Sequence, residues 1–169
     1  MAKSARRRDS EQAPDSLHKT VDVPQANKLE TVRQLAAAVR DGITHAAALL
    51  ELLDVDARHF AYYRQAAIVL RVLAEGPTGD LVLTEQGRKL LGTLERSAEE
   101  RDALRNLILG ASSLKPFSSF FKGEDTSAEE IAHRLGVIAG LSRSTALRRA
   151  QTLVQWRRYV AGDERPPGP

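Results

Sequence analysis

Six arginines, Arg134, Arg143, Arg148, Arg149, Arg157 and Arg158, fall between Ile131 and Ala161, a window that contains no Asp or Glu. In a chain whose charges are otherwise mixed, positive charge without neighbouring carboxylates favours phosphate. Most of the window is the stretch Gly140–Val160, whose apolar residues recur at helical spacing. At about 100° per residue around a helix axis, Ala146, Leu147, Ala150, Leu153, Val154, Trp156 and Val160 gather on one side. Ser144, Thr145, Arg148, Gln151, Thr152, Gln155 and Tyr159 fall on the other, with Arg148 near the middle. Arg and Gln make paired hydrogen bonds to guanine and adenine edges, and Ser, Thr and Tyr hold phosphates, so this face has the groups a major-groove helix needs. An ordinary solvated face shares the amphipathic pattern; the missing carboxylates separate the two. The expected DNA-binding residues are Arg143, Ser144, Thr145, Arg148, Arg149, Gln151, Thr152, Gln155 and Arg158. Among them Thr145, Arg148, Gln151, Thr152 and Gln155 are the candidate base readers, with Arg149 and Arg158 as flanking phosphate contacts. Trp156 and Arg157 project toward the apolar side and are assigned to the core edge.

Other chemistries fail at the positions they require. His18, His45, His59 and His133 are scattered and lack the His-Glu-x-x-His spacing of a zinc site. Asp54 with Asp56, and Glu129 with Glu130, resemble carboxylate pairs, but turn, capping and helix-dipole roles account for them. No Gly-x-Ser-x-Gly elbow is present, and Gly76-Pro-Thr-Gly79 lacks the Gly-Lys-Ser/Thr ending of a phosphate loop. Zero cysteines remove thiolate nucleophiles, disulfides and zinc-finger ligand sets together. The expectation is a protein that is not an enzyme, with no cofactor and no metal.

The elements that must carry the arginine face follow from periodicity and capping. Leu29, Val32, Leu35, Ala36 and Val39 predict a first helix closed by Asp41-Gly42. Thr44 is a candidate cap for a second helix containing Leu49, Leu50, Leu52 and Leu53, and Asp56 caps a third from Ala57 to about Leu73. Gly76–Asp80 reads as a hairpin turn, Leu81–Leu83 as a strand, and Thr84 as the cap of another helix. Three helices followed by a small β-wing is a winged helix-turn-helix. A linking helix capped by Ser97 runs from Ala98 to about Leu109. The chain breaks at Pro116, and Phe117, Phe120 and Phe121 form a cluster read as a hydrophobic plug between subdomains. Thr126 or Ser127 caps a helix to Leu135, and Gly136–Gly140 connects it to the arginine-rich stretch as a second helix-turn-helix. The third helix, with apolar side chains in nearly every direction, is expected to be packed on most sides and to serve as scaffold or in self-association.

The expected class is therefore mainly α, a tandem winged helix-turn-helix with a small β-wing and disordered N- and C-terminal tails. Residues 1–24 are the first tail, 25–96 the first winged helix, 97–161 the linking helix with the DNA-facing second helix-turn-helix, and 162–169 the last tail. With 169 residues, 42% hydrophobic, the chain can bury one core of ordinary size or two small ones. No apolar run approaches the roughly 18 residues of a membrane span. A cytoplasmic location is expected.

Val23–Asn27, the Tyr62-Tyr63 and Ala66-Ala67 pairs, Leu83–Arg88, Glu99–Arg101 and above all Ser144–Arg158 together resemble a tandem winged-helix domain of bacterial restriction-modification and other defence proteins. In those proteins the domain is commonly fused to a nuclease, methyltransferase or ATPase. The resemblance covers residue 23 to about 160 and implies a DNA-binding accessory, recognition subunit or regulator in a restriction or anti-phage setting. It transfers that role to Arg148, Arg149, Gln151 and Thr152. The expected partner is double-stranded DNA, with a nuclease, methyltransferase or ATPase, and a second copy in a homodimer, as further candidates. The alternative is a protein-interaction module that docks such an enzyme without itself binding DNA.

Overall fold

The computed structural model describes residues 23–163. The expected N-terminal tail lies outside the described residues up to residue 22, and the C-terminal tail from residue 164. The described chain is mainly helical, with one two-stranded antiparallel sheet.

Helix α1, Leu29–Arg40, is the centre of the first half. Its apolar residues recur at steps of three and four, and Leu29, Val32, Leu35, Ala36 and Val39 are all buried. Each of these Leu and Val side chains contributes about 1.5–3 kcal/mol on full burial. Around it pack α2, Ala46–Leu53, α3, Ala57–Val69, and α4, Glu85–Leu91. Strands β1, Leu73–Glu75, and β2, Leu81–Leu83, pair with Leu73 opposite Leu83. Their connection is closed by the Gly76 amide donating to the Asp80 carbonyl at 2.8 Å.

The second half contains α5, Ala98–Gly110, a 3₁₀ helix, Ser112–Phe117, and the short α6, Ser118–Phe121. It ends with α7, Ala128–Ala139, and α8, Arg143–Ala161, which pack against each other. Phe117, Phe120 and Phe121 are buried, and the Arg157 guanidinium stands 4.6 Å from the Phe120 ring centroid. Among the described residues this half has no strand pair, so the α7–α8 pair carries no wing.

Local capping chemistry sets most of the boundaries. Asp56, Thr84, Ser97 and Ser127 each accept a backbone amide hydrogen bond at a helix start, and Ser127 forms a full capping box with Glu130. Three expected boundaries move. α2 starts after His45, whose side chain makes no capping bond, rather than from a Thr44 cap. α3 stops at Val69 instead of continuing to Leu73. Arg71 adopts a left-handed φ of 56°, and Val72 N donates to Ala67 O while Arg71 N donates to Ile68 O, a Schellman ending that turns the chain into β1. α7 continues through Gly136 to Ala139 and ends at Gly140, whose φ of 61° is left-handed. Pro116 lies inside the 3₁₀ helix.

Val23 and Pro24, expected to lie in the N-terminal tail, belong to the folded chain. Val23, Pro24 and Ala26 are buried, and Val23–Asn27 runs as a strap onto α8. Among the described residues no helix is long and apolar enough to cross a membrane.

Candidate nucleic-acid interface

α8 has 19 residues and is fixed at both ends. Ser142 Oγ accepts from the Thr145 amide at 3.4 Å, and Gly162, with φ 76°, closes the C-terminus. Ala146, Ala150, Leu153, Trp156 and Val160 are buried, which aims the opposite side outward. Ser144, Arg148, Gln151, Gln155 and Arg158 are exposed there. Their spacing of four, three, four and three residues makes one straight stripe along the helix.

Four of the expected contacts lie elsewhere or are engaged. Arg149 is only 7% exposed, and its Nη1 donates to the Val23 carbonyl at 2.6 Å, so it is an anchor of the strap and not a flanking phosphate contact. Thr152 is 1% exposed and its hydroxyl donates to Asn27 Oδ1 at 2.7 Å, which removes it from the base-reading face. Thr145 is half-buried, and Ser142 Oγ donates to its Oγ1 at 3.0 Å. Arg143 is exposed, but it lines a groove between α7 and α8 together with Glu129, His133 and Leu147. That groove is about 140° around the axis from Arg148. Tyr159, placed on the polar side by projection, is buried with its hydroxyl donating to Glu100 Oε2 at 2.9 Å. Trp156 is fully buried and donates Nε1–H to the Ala26 carbonyl at 2.7 Å, consistent with a core role.

The strap explains the burial of Arg149 and Thr152. Arg149, Thr152 and Trp156 follow each other at steps of three and four, so they form a second stripe beside the exposed one. Val23, Ala26 and Asn27 cover it with three hydrogen bonds.

A neighbour that helical projection of α8 does not reveal completes the surface. Every residue of α3 from Tyr62 to Val69 is buried or half-buried, whereas Arg58, His59 and Ala61 in its first turns are exposed. Arg58, His59 and Tyr62 line one cleft of about 420 Å³ with Arg148, Gln151 and Thr152 of α8 and Gln25 and Asn27 of the strap. Arg58 Nε donates to the Tyr62 hydroxyl at 2.8 Å and its guanidinium lies 5.8 Å from that ring's centroid. Asp56 receives the His59 amide and pairs with His59 Nδ1, both at 2.8 Å. The amide bond, then the ring contact, hold the Asp56 carboxyl below its ordinary range, so it is ionised and occupied at the start of α3. The sequence signal for this neighbourhood was Arg58-His59, two and three residues after the Asp56 cap, in the first turn of α3.

The combined surface can donate hydrogen bonds to phosphate through arginine and to base edges through Gln151 and Gln155. Among the described residues no group of three or more His, Cys, Asp or Glu is placed to hold a metal ion. Comparison of the chain with protein-family models, with curated proteins and with solved structures finds no match.

Proposed function

We propose that the protein binds double-stranded DNA through the exposed stripe of α8, as the recognition subunit or regulator of a restriction or anti-phage system, with no catalytic role of its own. In this reading α1, α2, α3 and the β1–β2 hairpin form a winged helix-turn-helix, and α7–α8 a second, wingless helix-turn-helix. The observation that carries it is the stripe itself: Ser144, Arg148, Gln151, Gln155 and Arg158 are exposed on one line of a 19-residue helix, in a segment free of Asp and Glu. The defence setting rests on the resemblance of Ser144–Arg158 and the other quoted runs.

Duplex binding measured by fluorescence anisotropy over a salt series tests the proposal. Affinity should fall log-linearly with salt. Gln155→Ala should cost about 1–3 kcal/mol at a preferred sequence and relax discrimination there, whereas Arg158→Ala should weaken all sequences alike. Absence of duplex affinity at low salt overturns the reading.

A second reading is favoured by one observation. Val137 is 73% exposed and Ile138 38% on α7, beside the groove that Leu141 and Leu147 help line. Exposed apolar side chains next to a groove suit a docked protein. Salt-insensitive retention of a nuclease, methyltransferase or ATPase, lost on Val137→Asp and kept on Arg158→Ala, would favour it.

A further inference from the structure

The cleft between the first turns of α3 and the exposed stripe of α8 is lined without a single Asp or Glu. Arg58 and Arg148 enter it from different helices, and among the described residues neither is in an ion pair. Arg58 donates to the Tyr62 hydroxyl, and among the described residues the Arg148 side chain reaches only Thr145 Oγ1, at 3.5 Å. Several other partly exposed arginines are paired: Arg40 with Asp41, Arg64 with Glu75, Arg105 with Asp102 and Arg134 with Glu124. Asp56, two residues before Arg58, is hydrogen-bonded to the amide and ring of His59 and acts on Arg58 through its field without an ion pair.

Two guanidinium groups lining one polar cavity repel each other unless an anion joins them. Guanidinium forks match the oxygens of phosphate, and the amide of Gln151 in the same cleft supplies one more donor. We infer that the α3–α8 cleft is a phosphate site, with Arg58 and Arg148 holding one phosphate group between them and Gln151 donating beside it. Resting on the DNA reading, the inference makes that phosphate a backbone group of the duplex. It moves Arg148 from reading a base to gripping the backbone, and it brings α3 into the contact surface. A free phosphoanion satisfies the same chemistry, so the test must separate the two sources.

The full chain, its Arg58→Ala and Arg148→Ala variants and Arg58→Lys are titrated with a mixed-sequence duplex over a salt series. Separately, wild type and Arg58→Ala are titrated with inorganic pyrophosphate, observed through the arginine side-chain Nε–H resonances. Arg58 is exposed, and unchanged circular dichroism and melting verify the variant's fold. Expected for a backbone phosphate is an about tenfold weakening by each alanine variant, equal across sequences, with the salt slope reduced by about one. Arg58→Lys should recover part of the loss, and pyrophosphate should shift the Arg58 and Arg148 resonances together in wild type, with the Arg148 shift lost in Arg58→Ala. Pyrophosphate binding there without duplex affinity would support the cleft with a free phosphoanion as its ligand while overturning the DNA reading. Duplex binding that Arg58→Ala leaves unchanged in affinity and slope would overturn the inference and leave the DNA reading standing. Failure of pyrophosphate to move either resonance, with no Arg58→Ala effect, overturns it whatever the duplex does.

Discussion

Arg148 and Arg149 are chain neighbours about 100° apart around α8, and that rotation separates solvent from core. The Arg148 side chain is exposed, while the Arg149 guanidinium is buried and donates to a carbonyl 126 residues earlier in the chain. A charge-assisted hydrogen bond in a buried site contributes about 1.5–3 kcal/mol. Arg149→Ala should therefore lower unfolding stability by roughly that amount in urea titrations, and speed proteolysis around Val23–Asn27, because it frees the strap. Arg158→Ala, on the exposed stripe, should stay within about 0.5 kcal/mol of wild type. Equal stability of the two variants would show that the strap is not anchored there. Helical projection alone could not place Thr152. Thr152 lies only about 40° from Arg148 around the axis, yet it is buried because Asn27 covers it. Amphipathicity reports which side is apolar, not which polar residue a distant segment will cap.

Most element boundaries that depend on nearest-neighbour chemistry were legible, as the amides accepted by Asp56, Thr84, Ser97 and Ser127 show, the expected Thr44 cap being the exception. Those that depend on tertiary geometry were not. Apolar periodicity runs on past Val69, but the chain turns at Arg71 so that β1 can meet β2, and Gly136 lies inside α7, which packs on α8. Gly87 in α4 shows what such geometry demands. A Cβ there would sit 2.2 Å from the Val72 carbonyl oxygen and 2.6 Å from Leu83 Cδ1. The first is backbone at the entrance to β1 and cannot swing aside, so α4 reaches the hairpin this closely only because the residue is glycine. Gly87→Ala gains about 1 kcal/mol of helix propensity but must displace α4 from the hairpin, and forced displacement of this kind costs about 1–3 kcal/mol. The net effect should be a lower melting temperature. Gly110→Ala, near the end of α5 with nothing within 4 Å of the added carbon, is the control and should be neutral or stabilising. A Gly87→Ala protein as stable as the control would mean that α4 can shift without cost.

The two halves meet through buried charge as well as apolar contact. Glu100 is 1% exposed at the start of α5, takes the Tyr159 hydroxyl from α8 and lies 3.4 Å from Arg33 Nε of α1. Arg33 in turn donates to the carbonyls of Leu90 and Thr93 at 2.7 and 2.8 Å, and Arg105 of α5 donates to the Val160 carbonyl. Four helices and the α4–α5 connection therefore share one polar junction, and Val23–Asn27 crosses from α1 to α8 as a second tie. Removing one charge of a buried pair costs about 3–5 kcal/mol, because the other stays desolvated without a partner. Glu95, 77% exposed and 3.6 Å from Arg33, is too solvated to replace Glu100 fully. If the junction makes the halves one folding unit, the fluorescence of Trp156, the sole tryptophan, and the amide exchange protection of α1 should report the same unfolding transition. Glu100→Gln keeps the shape and removes the charge, so it should move both reports down together by that amount. That outcome matters for recognition, since Arg58 stands on the first half and Arg148 on the second, and a surface shared between them needs a fixed relation. Two separate transitions, with α1 unfolding before Trp156 is exposed in the wild type, would show instead that the halves fold independently and that the α3–α8 cleft forms only when both are docked.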